Sequence, residues 1–109
     1  MRQRLTTPAW SIEIDVTGTY ATAVIAGDLD VTATLPLQRQ LRHIVDARPQ
    51  RLSIDAPGIG FIDCAATRVV VDAGRSLPPG RKPVIHSPSL ALRLVLRLTG
   101  LASHCEIAG

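Results

Sequence analysis

Residues 51–77 read RLSIDAPGIGFIDCAATRVVVDAGRSL, and this stretch decides the fold. Its first five residues form a short strand. Pro57-Gly58 and Gly60 then mark a loop. Asp63 is placed to cap a helix that runs from Cys64 to about Leu77. The run Val69-Val70-Val71 is a poor helix former, because β-branched side chains lose rotamer freedom against the preceding turn. Context therefore argues for that helix more than propensity does. Pro78-Pro79-Gly80 breaks it.

The same grammar extends outward in both directions. Before this stretch, residues 10–16 (WSIEIDV) alternate apolar and polar, the period of a half-exposed strand. Thr17-Gly18 supplies a turn, residues 19–26 are rich in β-branched types, and Gly27 ends this second strand of a hairpin. From Thr32 onward Leu35, Leu37, Leu41, Ile44 and Val45 recur at mostly helical spacing. Thr32 or Thr34 serves as the cap, Pro36 is tolerated in the first turn, and Pro49 marks the end. After the central stretch, residues 83–86 form another strand. Ser87 or Ser89 caps a third helix through Leu98, Gly100 stops it, and residues 104–107 form a last strand. The order β-β-α-β-α-β-α-β predicts an α/β fold: an N-terminal β-hairpin leading into a mostly parallel sheet of four or five strands with crossover helices. Residues 1–109 form a single domain.

Composition narrows the function. Hydrophobic residues make up 46% of 109, so disorder is excluded, and with only 3% aromatics the core must be filled by Ala, Val, Leu and Ile. No apolar run approaches the ~20 residues that cross a bilayer. MRQRLTTPAW has basic residues but no apolar stretch behind them, so a signal peptide is not expected. The expectation is a cytoplasmic domain without membrane insertion. Twelve Lys and Arg residues give a net charge of +3, yet no basic run is longer than Arg81-Lys82. The aromatics are only Trp10, Tyr20 and Phe61. This reads as scattered surface charge, and no direct nucleic-acid partner is expected. Cys64 and Cys105 lack CxxC spacing and His43, His86 and His104 lie far apart, so no metal site is expected. No cofactor is called for, and neither a GxSxG elbow nor a GxxxxGKS loop is present, so the chain does not read as an enzyme.

What stands out is a pair of loops. In a parallel sheet, function gathers beyond the carboxyl ends of the strands. Gly27-Asp28-Leu29-Asp30 follows one strand, and Phe61-Ile62-Asp63-Cys64 leads into the second helix. Three stretches here resemble the STAS domain family: GDLDVTATLPLQRQL (27–41), RLSIDAPGIGFIDCAA (51–66) and SPSLALRLVLRLTGL (87–101). The first is similar to the family's acidic segment before its first helix, the second to its strand, loop and D-S-S-G segment, the third to its last helix and following Thr-Gly-Leu. The likeness spans about residues 19–107.

For a free-standing domain, the resemblance implies an anti-sigma factor antagonist. Such a protein binds an anti-sigma factor that is also a Ser-kinase-like ATPase, and a phosphate placed on the serine opening the second helix expels that partner. The matching position here is Cys64, and Ala65-Ala66 replace the family's Ser-Gly. An ordinary phosphorylation switch is therefore not expected, with Thr67 as the conceivable substitute acceptor. Asp28 and Asp30 match partner-binding positions, with capping and loop hydrogen bonding as the competing role; Asp63 is the stronger cap candidate, and Phe61 is expected to anchor the neighbouring loop. Cys64 has a redox reading, from a helix N-terminus that favours the thiolate, and an inert one. Leu90 and Leu94 share a helix face and form an apolar contact patch unless the C-terminal segment covers them. The alternative function is a STAS-type accessory subunit of a lipid or anion transporter; a receiver-type phosphoryl acceptor is disfavoured because the one lysine, Lys82, precedes its strand. A homodimer is compatible with all of this.

Overall fold

The computed structural model describes residues 1–109. The elements run β1 (Arg2–Thr6), β2 (Trp10–Thr17), β3 (Tyr20–Leu29), α1 (Thr34–Ala47), β4 (Arg51–Ile62), α2 (Cys64–Asp72), β5 (Val84–His86), α3 (Leu90–Thr99) and β6 (Glu106–Ala108). The strands lie side by side in chain order in one six-stranded sheet. The first two pairings are antiparallel and the other three parallel. The α/β fold expected from the sequence is therefore present, with one strand more than expected.

Alternation decides where the core sits. Ile12 and Ile14 of β2, Ala21, Ala23 and Ile25 of β3, and Leu52, Ile54 and Ala56 of β4 are buried on one face. They join Leu37, Leu41 and Ile44 of α1, Val70 and Val71 of α2, and Leu92 and Leu96 of α3 in a single cluster. The three helices thus form one layer on one side of the sheet. The opposite face carries Tyr20, Val24, Asp55 and His86 and is open to solvent. This is unusual for parallel pairings, which are generally covered on both sides.

Several expectations need correction. The additional strand is β1, whose outward residues are arginines: Arg4 pairs with Glu13 of β2 at 2.7 Å, and Arg2 lies 3.6 Å from the same carboxylate. Charge on an edge strand hides it from a hydrophobic pattern search and also blunts the edge against pairing with other chains. Leu35 and Val45, which share the helical spacing of the buried Leu37, Leu41 and Ile44, are exposed. Neither Thr32 nor Thr34 is the cap. Asp30 caps a 3-10 turn at Val31–Ala33 that runs directly into α1. The second helix is shorter than expected, passing into a 3-10 turn at Ala73–Ser76. Ser89, not Ser87, caps α3, its hydroxyl accepting from the Leu92 N–H at 3.2 Å.

The largest correction concerns β4, which does not stop at Asp55. It continues through Pro57, Gly58 and Gly60 to Ile62, paired with β3. Two bulges make this workable. Ala56 and Pro57 together face Ile25, and Gly60 is the extra residue between the pairs Gly27–Ile59 and Asp28–Phe61. A bulge leaves one residue unpaired, so proline and glycine fit where a regular central strand would reject them. Gly27 likewise lies inside β3 at a bulge and does not end the strand.

Half of the positive charge is grouped in space although it is spread along the sequence. Six of the twelve Lys and Arg side chains, Arg48, Arg51, Arg68, Arg75, Arg81 and Lys82, line adjoining grooves near the amino-terminal ends of β4 and β5. They come from four separate segments, so no local run announces them.

Candidate functional site at the carboxyl ends of β3 and β4

The bulged ends of β3 and β4 bring five predicted residues together. Asp28 and Phe61 are register partners, Leu29 pairs with Ile62, and the Asp63 N–H donates to the Leu29 carbonyl at 3.2 Å. Cys64 opens α2 immediately after.

Each acid has a distinct position. Asp28 is exposed, and its carboxylate lies across Gly60, where a Cβ would approach Oδ1 to 2.8 Å. Asp30 Oδ1 accepts both the Thr32 hydroxyl and the Thr32 N–H, the latter at 2.9 Å. Those two bonds, the hydroxyl's first, hold the Asp30 carboxyl below the usual range. Asp30 is therefore a cap, but its Oδ2 has no partner within the chain and faces outward as an ionised acceptor. Asp63 caps α2, its Oδ1 accepting from the Ala66 N–H at 2.8 Å. Capping and partner contact are compatible at Asp30, because one oxygen is committed and the other is free.

The apolar part of the site was only half anticipated. Phe61 is 50% exposed, so it does not anchor a loop in the core; its ring is presented at the surface. Val31, beside Asp30, is 74% exposed, and Leu35 in the first turn of α1 is exposed as well. The helical spacing of Leu35 does not reveal its exposure, and a lone valine between polar residues, such as Val31, carries no pattern. Exposed apolar groups bordered by fixed acids have the composition of a protein-binding surface, an apolar centre with a polar rim.

No group of His, Cys, Asp and Glu stands close enough to hold a metal ion. Cys64 is exposed and Cys105 is buried, both as free thiols, so no bridge joins them. Burial pushes the Cys105 thiol up, and its Sγ lies 3.4 Å from the Leu101 carbonyl. A thiol reagent is accordingly expected to label Cys64 quickly in the native protein and Cys105 only on unfolding. Peptide mapping after a brief reaction checks this, and early label on Cys105 would contradict it. Thr67 is not a substitute acceptor: it is fully buried and its hydroxyl donates to the Asp63 carbonyl at 2.8 Å. Helical geometry turned it inward, behind Cys64.

Solved structures share this architecture. An anti-sigma factor antagonist from Mycobacterium paratuberculosis superimposes with a TM-score of 0.79 at 17% identity, over 95% of this chain and 90% of that one. The fold is that of the anti-sigma factor antagonists. The antagonist SpoIIAA in its unphosphorylated form gives a TM-score of 0.70 at 17% identity, over 90% of this chain and 88% of that one. The Bacillus cell fate determinant SpoIIAA in its phosphorylated form gives 0.65 at 19% identity, over 90% and 91%. No protein-family model matches the sequence, and no curated protein matches it. Leu90 and Leu94 lie on α3, a different element from those that carry the surface just described. The N–H of Ser89, just before Leu90, donates to the Ala56 carbonyl at 3.0 Å, which sets the start of α3 five residues before Phe61 on β4. Leu90 is 83% and Leu94 53% exposed, so the C-terminal segment does not cover them. No helix is long and apolar enough to cross a membrane.

Proposed function

We propose that this chain is an anti-sigma factor antagonist, a non-enzymatic module that binds an anti-sigma factor and thereby regulates sigma-factor-dependent transcription. The observation that carries the reading is the surface at the ends of β3 and β4. Asp28 and its register partner Phe61, the free oxygen of Asp30 and the start of α2 at Asp63 and Cys64 gather at the carboxyl ends of β3 and β4 on an antagonist fold, and this supports the reading. The partner is a Ser-kinase-like ATPase, and the cell compartment is the cytoplasm. The usual serine switch is missing, because Cys64 occupies the acceptor position and Thr67 is sealed beneath it.

The test is affinity capture with the wild-type chain, identification of the retained protein, and titration calorimetry with that partner. Asp30→Ala and Phe61→Ala are each expected to weaken binding by about tenfold or more, as loss of a charge-assisted hydrogen bond and of an aromatic anchor do. Phe61→Ala should leave the circular dichroism unchanged, since the ring is half out of the core. Retention of a transporter subunit instead, or full affinity in both variants, would remove this reading.

A further inference from the structure

At the end of the sheet opposite the candidate site, the open face carries a groove of about 360 Å³. Its wall includes Arg51, Arg81 and Lys82, none of which forms an ion pair. Arg81 is held over the groove by a bond from Nη1 to the Gln50 carbonyl at 2.9 Å. The floor is a hydrogen-bonded chain: the Tyr20 hydroxyl lies 2.7 Å from the Ser53 hydroxyl, which in turn lies 3.4 Å from His86 Nε2. One acid, Glu106, borders it.

Three unpaired cations around one small concavity repel each other, and an anion between them relieves that repulsion. Guanidinium groups bind tetrahedral oxyanions through paired N–H donors, and the two hydroxyls and the imidazole add further hydrogen-bonding groups. The volume lies near the lower end for small-ligand sites. We propose that this groove binds the phosphate group of a small phosphate monoester. It shares no residue with the partner surface, so it stands independently of the antagonist reading.

The experiment is titration of the intact protein, followed residue by residue by NMR, at about physiological ionic strength, where the Debye length is about 8 Å. The probes are glycerol 3-phosphate in solution, vesicles containing phosphatidic acid, and acetate as a control anion. Expected are saturable shifts confined to Tyr20, Arg51, Ser53, Arg81, Lys82 and His86. Arg51→Gln and Arg81→Gln should each weaken binding about tenfold with the circular dichroism unchanged, in line with the strength of charged hydrogen bonds. Saturation by glycerol 3-phosphate identifies a soluble ester as the source. Saturation by the vesicles alone identifies a lipid headgroup. No saturation with either probe, an equal response to acetate, or wild-type affinity in both variants would overturn the proposal.

Discussion

Replacing Gly27 by alanine is expected to lower the free energy of unfolding by about 3 kcal/mol or more, a large share of the roughly 5–15 kcal/mol that holds such domains together. Two causes add. Gly27 has a φ of 101°, a region that side chains other than glycine's rarely occupy. Its missing Cβ would also run into the backbone where the chain enters β2, against the Ala9 carbonyl and 2.6 Å from the Trp10 Cα. These are backbone atoms at the start of β2, tied to β3 by the Asp28 N–H, which donates to the Ala9 carbonyl at 2.8 Å, and they cannot swing aside as the end of a flexible side chain can. Gly18 provides the control: its φ is 58°, but nothing lies within 4 Å of a Cβ built there. Gly18→Ala should therefore cost only about 1 kcal/mol, the price of the conformation alone. Equal losses in the two variants, measured by chemical denaturation, would show that the close approach at Gly27 has no energetic weight. Because Gly27 precedes Asp28 and Asp30, its alanine variant should also lose partner binding before it loses the fold.

The second large effect is all-or-none. Incubated with an anti-sigma factor retained in the affinity capture and with ATP, the wild-type chain is expected to gain no phosphate, and the Cys64→Ser variant to gain one. This rests on the antagonist reading. Cys64 is exposed at the first position of α2, so a serine there would present its hydroxyl to a kinase with one atom changed. The nearest other hydroxyl on that turn, Thr67, is buried and already donates to Asp63. A phosphate at Cys64's position would bring about −1.5 to −2 charges beside Asp28, Asp30 and Asp63, enough to turn an apolar contact into a repulsive one. Intact-protein mass decides the outcome. Phosphate on the wild type, at any residue, would end the idea that the switch is lost. Phosphate on neither chain would mean that the partner is no kinase for this domain.

The sequence made the regular parts of this molecule legible, for reasons visible residue by residue. Asp63 was readable as a cap because a short polar side chain before a helical pattern has few other uses, whereas for the third helix Ser87 and Ser89 were equal candidates. Gly100 was readable as a stop and is one, in the left-handed conformation with a φ of 77°. The hairpin of β2 and β3 followed from the alternation of residues 10–16, the Thr17-Gly18 turn and the β-branched residues after it. Breaker residues misled where a bulge absorbed them: Pro57, Gly58 and Gly60 look like a loop in sequence and are strand in space. The candidate acids and Phe61 were found from their motif positions, but their exposure was not, since a side chain's outward turn at a bulge leaves no periodic trace. The basic groove was invisible for a different reason. Its members are distant in sequence, and only the parallel crossovers place Arg51 next to Arg81 and Lys82.

Gly60 has an implication for how such chains can diverge. Ile59 and Ile62 point into the core with two outward residues between them, a spacing that strict alternation forbids and the bulge permits. Loss of a single codon here would leave the pairs Gly27–Ile59 and Asp28–Phe61 consecutive, with Phe61 still outside and Ile62 still inside. Exchange of Gly60 for a larger residue, by contrast, would drive a Cβ toward the Asp28 carboxylate. Descendants of this sequence are thus freer to shorten the segment than to rewrite it, and a change in length at this point would alter the twist at which acid and ring are offered without exchanging what is offered.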